Sequence, residues 1–157
     1  MINESANYQV KVLKLQHFDN DLELPTYETD LAAGADIRAC LENRDQLIIK
    51  PGTRCLVPTG LSFQIPAGFE VQVRPRSGLS LKTQLLVVNS PGTVDADYRG
   101  EIKVILGNFG EADEVINHGD RIAQLVLAPI IQAQFVVVEE LDETQRGAGG
   151  FGSTGRK

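Results

Sequence analysis

The feature that most restricts the fold of this chain is its punctuation. Pro51-Gly52, Pro58-Thr59-Gly60, Pro66-Ala67-Gly68, Pro91-Gly92 and His118-Gly119-Asp120 cut the sequence into short runs. Pro and Gly at this spacing interrupt long helices and supply the backbone angles that tight turns need. Between the breaks lie runs with strand character: residues 8–15 (YQVKVLKL), 47–50, 53–57, 61–65, 69–73, 85–89, 101–106, 122–127 and 135–139. The first alternates polar and apolar side chains, the period of a strand with one buried face. No window of a dozen residues carries an apolar stripe at helical spacing. The best helical candidate is a turn or two after Ser77 (GLSLK). Many short, regularly spaced strands predict an all-β fold, an antiparallel sandwich or jelly roll.

Length and composition set the remaining bounds. At 157 residues the chain fits one domain, and 42% hydrophobic residues suffice for a core. The composition changes at Arg146, where RGAGGFGSTGRK places five Gly between Gly147 and Gly155 and one large apolar side chain, Phe151. Such a segment buries too little to order itself. The expected division is a β domain over residues 1–145 and a mobile glycine-rich tail over 146–157. A net charge of −6 and a pI near 4.9 argue against a nucleic-acid polymer as partner, which calls for a basic stripe. No apolar stretch is long enough to span a membrane, and the first twenty residues lack an apolar signal core. Cys40 and Cys55 are too few and too far apart for a zinc site, and read as free thiols in a reducing compartment. The expectation is a soluble, cytoplasmic protein.

Four segments carry groups suited to chemistry. The tail matches the letters of GxGxxG over residues 147–152, but no helix can follow within the few residues left, so no dinucleotide or P-loop site is read there. What survives is a set of bare N–H groups, the Ser153 and Thr154 hydroxyls and Arg146 and Arg156, able to wrap a polyphosphate; the plainer reading is an unstructured tail. Arg74-Pro75-Arg76-Ser77-Gly78 combines two guanidiniums, a hydroxyl and an open glycine, suited to an oxyanion; the plainer reading is a strand end with solvated arginines. In residues 89–101 (NSPGTVDADYRGE), Pro91-Gly92 predicts a hairpin turn. Asp95 and Asp97 face one side if its return arm is extended, as base, metal ligands or a solvated pair. Gly34-Ala35-Asp36 reads as a turn with one carboxylate. Nothing near His17 or His118 suggests a nucleophilic triad.

Taken together and in order, these segments resemble the five motifs of the trimeric dUTPase family. The matching runs are residues 33–39 (AGADIRA), 74–80 (RPRSGLS), 92–101 (GTVDADYRGE), 119–125 (GDRIAQL) and 146–155 (RGAGGFGSTG). The resemblance starts near Val10 and covers nearly the whole chain. It implies a jelly roll, Mg²⁺-dependent hydrolysis of dUTP to dUMP and pyrophosphate, and a homotrimer with shared active sites, each tail reaching a neighbour. It assigns Asp95 as the base that activates water for attack on the α-phosphorus. It gives Arg76, Ser77, Gly78 and Gln124 to the phosphates, with Lys103 as a further substrate contact. It places Asn89, Thr93 and Val94 at the uracil edge and Tyr98 under the deoxyribose. Arg146, Ser153 and Thr154 would grip the γ-phosphate while Phe151 stacks on the base. Mg²⁺ would be held mainly by the triphosphate, with Asp36 touching a metal-bound water. The run Lys82-Thr83-Gln84-Leu85 departs from the family, which usually has Gly where Gln84 stands; the expectation is a different local turn. The nearest rival is a dCTP deaminase-like enzyme, whose family has Arg-Ser-Ser at Arg76-Ser77-Gly78 and its catalytic Glu at the place of Ile105. A non-catalytic jelly-roll binding protein is the other, and leaves the motif order unexplained.

Overall fold

The computed structural model describes residues 8–150. Ten strands are present among the described residues: β1 (Lys11–Lys14), β2 (Ala35–Arg38), β3 (Gln46–Ile49), β4 (Arg54–Gln64), β5 (Phe69–Arg74), β6 (Leu85–Val87), β7 (Gly92–Val94), β8 (Glu101–Asn108), β9 (Glu114–Asn117) and β10 (Arg121–Pro129). One short helix, α1 (Ser77–Lys82), stands where a helical turn was expected, and a 3₁₀ turn covers Glu42–Arg44. Two four-stranded sheets, ordered β1-β4-β8-β6 and β2-β10-β5-β7, are joined by the small sheet β3-β9, and every pairing is antiparallel. This is the all-β, jelly-roll class that the turn spacing predicts. No helix among the described residues is long and apolar enough to cross a membrane.

The alternation of side chains builds the core. On β8, Ile102, Val104 and Leu106 are 2%, 0% and 0% exposed, while Lys103 between the first two points out. They meet Val57, Leu61 and Phe63 of β4, and Ile37, Val71, Val73, Ile122 and Leu125 from the facing sheet. Each such aliphatic side chain contributes about 1.5–3 kcal/mol on full burial. Cys40 belongs to this core, and both cysteines are free thiols.

Several expectations are corrected. Residues 53–57 and 61–65 are not two strands around a turn: β4 runs through Pro58-Thr59-Gly60 in a bulge. Between Pro58↔Lys103 and Ser62↔Glu101, β4 advances four residues while β8 advances two. The extra residues fit because Thr59 Oγ1 donates to Ile102 O at 2.6 Å and Gly60 adopts φ +70°. A Cβ at Gly60 would lie 3.0 Å from Phe18 Cα. Gly34-Ala35-Asp36 is not a turn, since Ala35 and Asp36 open β2, paired to β10. Residues 114–117, unmarked by any pattern, pair with β3. Residues 135–139 form no strand among the described residues, and Phe135 and Val137 are 96% and 99% exposed. A β-branched apolar run is fit for a strand, but pairing also requires a free edge beside it.

Gln84 takes no left-handed φ, so its turn needs no glycine. Its N–H donates to Glu114 Oε1 at 2.8 Å, and its carbonyl accepts the Phe109 N–H at 3.0 Å. Its side chain lies over Gly110, where a Cβ would come 2.6 Å from Gln84 Cβ. The bulk gained at position 84 is accommodated at position 110.

Candidate functional site

The candidate residues fall into two groups. The first sits where β2, β10 and β5 run side by side, with Asp36, Gln124 and Arg74 in one row of the register. Asp36 is 7% exposed. Its Oδ1 accepts Arg76 Nε at 2.8 Å, and its Oδ2 lies 3.2 Å from Arg121 Nη1, which also reaches Glu28 at 2.9 Å. Two guanidiniums on one buried carboxylate keep the charge neutralised and the cations oriented. Arg76 Nη1 donates to Arg121 O at 3.3 Å; its Nη2 has no partner among the described residues. Gln124 Nε2 donates to Pro75 O at 2.9 Å. Its Oε1 rests against Gly34, where a Cβ would come within 2.3 Å. Arg76 precedes α1 in extended conformation, and Ser77 and Gly78 open the helix exposed, with clear space beside Gly78.

The second group lines a cleft of about 480 Å³: Asn89, Thr93, Val94, Asp95, Tyr98 and Lys103, with Leu56, Glu101, Ile102 and Ile105. β6 and β7 do not form the expected hairpin. They pair in different sheets, β6 with β8 and β7 with β5, so the intervening residues cross from one layer to the other and leave the cleft between. The return arm ends at Val94, and a turn follows in which the Tyr98 N–H donates to Asp95 O at 3.1 Å. Asp95 and Asp97 therefore do not alternate along one extended strand. Of the two, Asp95 lines this cleft, and both border a neighbouring hollow with Ala67, Gly68, Ile130 and Gln132. The Asp95 carboxylate is exposed and has no hydrogen-bond partner among the described residues. The Tyr98 ring folds over Gly100, where a Cβ would meet its hydroxyl oxygen at 2.3 Å, and that hydroxyl donates to Glu101 O at 3.3 Å. Burial alone would raise the Glu101 pKa. Hydrogen bonds from His17 and the Gly60 N–H, aided by Lys103, outweigh it and hold the carboxyl below its ordinary range.

Among the described residues no side-chain hydrogen bond links the two groups. Of the tail, Arg146 forms a turn on itself, its Nε donating to Gly149 O at 2.7 Å. Phe151, Ser153 and Thr154 lie outside the described residues. Arg121 and Glu101 were not singled out in the sequence. Both stand in motifs already quoted; Arg121 had a further signal, a cation beside Asp120, whereas the bracing by Glu101 had none, because its partners come from β4 and the loop after β1. Among the described residues no three of His, Cys, Asp and Glu cluster as a metal cage. Both Asp36 oxygens already accept guanidiniums, and Asp95 is a lone open carboxylate. This donor set fits an ion whose oxygen ligands come mostly from a bound anion and water.

The family model for dUTPase matches residues 20–155. A deoxyuridine 5'-triphosphate nucleotidohydrolase of Bdellovibrio bacteriovorus is 56% identical over 147 residues, covering 94% of this chain and 96% of that one. One from Desulfotalea psychrophila is 60% identical over 134 residues, covering 85% and 88%. The dUTPase of Staphylococcus bacteriophage 80alpha with dUpNHpp superposes with a TM-score of 0.81 at 26% identity, covering 94% of this chain and 98% of that one. The jelly roll, the ordered motifs and this identity over nearly the full length together make the chain a member of the dUTPase family.

Proposed function

We propose that this protein hydrolyses dUTP to dUMP and pyrophosphate in a Mg²⁺-dependent reaction, with Asp95 activating the water that attacks the α-phosphorus. The observation that carries this reading is Asp95 itself: an open carboxylate, without a partner among the described residues, on the wall of a cleft sized for a nucleoside. A carboxylate open on a cleft wall can orient a water and accept its proton. Phosphoryl chemistry asks the protein mainly to place groups and stabilise charge. Arg76 is suited to that, since Asp36 holds its Nε and leaves Nη2 for an anion. Ser77, Gly78 and Gln124 complete the phosphate side. On the base side, Asn89 and the main chain at Thr93 and Val94 read the uracil edge, Tyr98 packs under the sugar, and Lys103 contacts the substrate. Mg²⁺ neutralises triphosphate charge when bound, and Asp36 would reach it through water. A dUTPase from phage phi11 of S. aureus has been described with a structural Mg(II) ion.

No side-chain hydrogen bond among the described residues joins the two groups, and the reading that other copies of the chain complete the site rests on family membership. We read the assembly as a homotrimer, with residues 1–145 as the β domain and 146–157 as the tail that brings Arg146, Phe151, Ser153 and Thr154 to a neighbour's substrate. The exposure of Ile131, Phe135, Val137 and Leu141, at 98%, 96%, 99% and 86%, supports this, since a run of bare apolar side chains marks an interaction surface. No nucleic-acid polymer or membrane enters the reading, and the reaction is assigned to the cytoplasm. The aliphatic Ile105 on the cleft wall disfavours deamination, which requires a carboxylate there.

Pyrophosphate release from dUTP, beside dCTP and dTTP, with Mg²⁺ and with chelator, tests the proposal. Release from dUTP alone, lost with chelator, is the expected result; ammonia release from dCTP would overturn it. Sedimentation at micromolar protein should give three times the 17.1 kDa chain mass.

A further inference from the structure

Glu101 has no role in the reaction as described above, yet its carboxylate joins three elements around the cleft. Its Oε1 accepts the Gly60 N–H at 2.8 Å and lies 2.9 Å from His17 Nε2. Its Oε2 lies 3.4 Å from Lys103 Nζ. The side chain is 13% exposed, against 47% for His17 and 42% for Lys103. Its main-chain oxygen accepts the Tyr98 hydroxyl. The same stretch of chain is gripped twice more from the β4 bulge, by Thr59 Oγ1 on Ile102 O at 2.6 Å and Ser62 Oγ on Arg99 O at 2.7 Å. The loop after β1 is tied to that bulge in turn, because the Leu15 N–H donates to Gly60 O at 2.9 Å. Residues 98–102, which carry the Tyr98 ring, are therefore positioned by the bulge, and Glu101 closes the connection with a charged group.

We propose that Glu101, braced by His17 and Gly60, is a positioning residue for sugar selection: it sets the height of the Tyr98 turn and the reach of Lys103, so that a deoxyribose fits the cleft and a ribose does not. The inference rests on reading the cleft as a dUTP site. The physical reason is that a specificity contact is only as precise as the groups that hold it. The Tyr98 ring is half exposed and rests on a glycine, so nothing beneath it resists a shift except the hydrogen bonds to residues 99–102. Charge-assisted hydrogen bonds are stronger than neutral ones, and Glu101 accepts two on Oε1 while Oε2 pairs with the Lys103 ammonium at 3.4 Å. Without the charge, Lys103 loses its ionic partner and the tie from Glu101 to the Gly60 N–H is weakened. A looser Tyr98 turn then discriminates less against a 2′-hydroxyl, since a misplacement of about 1 Å can cost up to 10²-fold in catalysis.

The test uses the full chain and steady-state kinetics with dUTP and UTP. Glu101→Gln should raise KM for dUTP about 3- to 10-fold, the size of one net hydrogen bond, with kcat changed by roughly twofold or less. The ratio of kcat/KM for dUTP over UTP should fall by a similar factor, towards that of Tyr98→Ala. His17→Ala should move the ratio the same way and less, and His17→Gln, which still offers an N–H to Oε1, should restore it. A lower melting temperature for Glu101→Gln with an unmoved ratio would make Glu101 structural and overturn the proposal, as would no change in either. If Glu101→Gln does not fold, the His17 pair decides: an unmoved ratio in His17→Ala overturns it. A wild-type protein silent on dUTP would remove the cleft reading as well, whereas active wild type with unmoved ratios removes the role of Glu101 alone.

Discussion

The Asp36 cluster and the Asp95 cleft of this protein are built in opposite ways. Around Asp36 the charges satisfy one another: one buried carboxylate, two guanidiniums, and Gln124 pinned to the Pro75 carbonyl, all on paired strands or beside them. Around Asp95 the groups are left open: an exposed carboxylate, a half-exposed tyrosine and Asn89 on a stretch that crosses between sheets. The first arrangement resists rearrangement and keeps positive charge aimed outward before any anion arrives. The second has little to lose in stability and keeps its donors and acceptors for a ligand. The two sides should answer mutation differently, one in stability and the other in turnover.

The largest effect is expected on the open side. Asp95→Asn should lower kcat by about 10²–10⁴-fold, the usual contribution of a general base. It should leave the melting temperature and the affinity for a non-hydrolysable dUTP analogue nearly unchanged. Turnover by the purified variant and calorimetric binding check this, and a destabilised variant would break the contrast. Removing residues 146–157 should come next, with kcat down by about 10²-fold, the scale of losing a group that aligns the substrate. Circular dichroism should show the β fold retained. Unchanged activity would mean that the site is complete without the tail.

On the closed side, Asp36→Ala should reverse the pattern. It strands two guanidiniums, and breaking a buried ion pair typically costs 3–5 kcal/mol. Because Arg76 and Arg121 keep 23% and 36% of their side chains exposed, about 3 kcal/mol is expected, read as a lower midpoint in urea. The smallest effect concerns Glu101. Its folded pKa is lowered, so the unfolded chain binds that proton more tightly. Its stabilisation is fully present above the ordinary carboxylate pKa and is lost as the pH falls through the lowered folded value. The advantage of wild type over Glu101→Gln in thermal melts should therefore narrow below about pH 4, by about 1 kcal/mol or less because solvent screens the group. A gap that widens on acidification would contradict the assignment.

The parts legible in the sequence were those with local causes. Short apolar runs between turn residues marked β5, β8 and β10, and in β5 and the first half of β8 one buried face imposes period 2. Ser77 and the residues after it read as a helical turn and form one. The candidate residues were found by motif order, since each motif keeps its donors and acceptors within a few positions. The errors share a different cause. Pro58-Thr59-Gly60 looks like a turn, but a bulge in a paired strand tolerates the same residues when a neighbour accepts the Thr59 hydroxyl. Residues 114–117 have no strong alternation and become β9 because β3 offers an edge. Residues 135–139 (FVVVE) are a β-branched apolar run fit for a strand, and find no edge within the described chain.

What the sequence by itself determined was the β class, the breaks between elements and the chemical groups available, because backbone angles and side-chain periodicity act over a few residues. Only the tertiary structure decided that β6 and β7 belong to different sheets, opening a cleft instead of closing a hairpin. It likewise decided that Asp36 serves Arg76 and Arg121, and that Glu101 answers to His17, 84 positions away. Those pairings depend on which strand edges meet, and an edge selects its partner by geometry and burial summed over the whole chain.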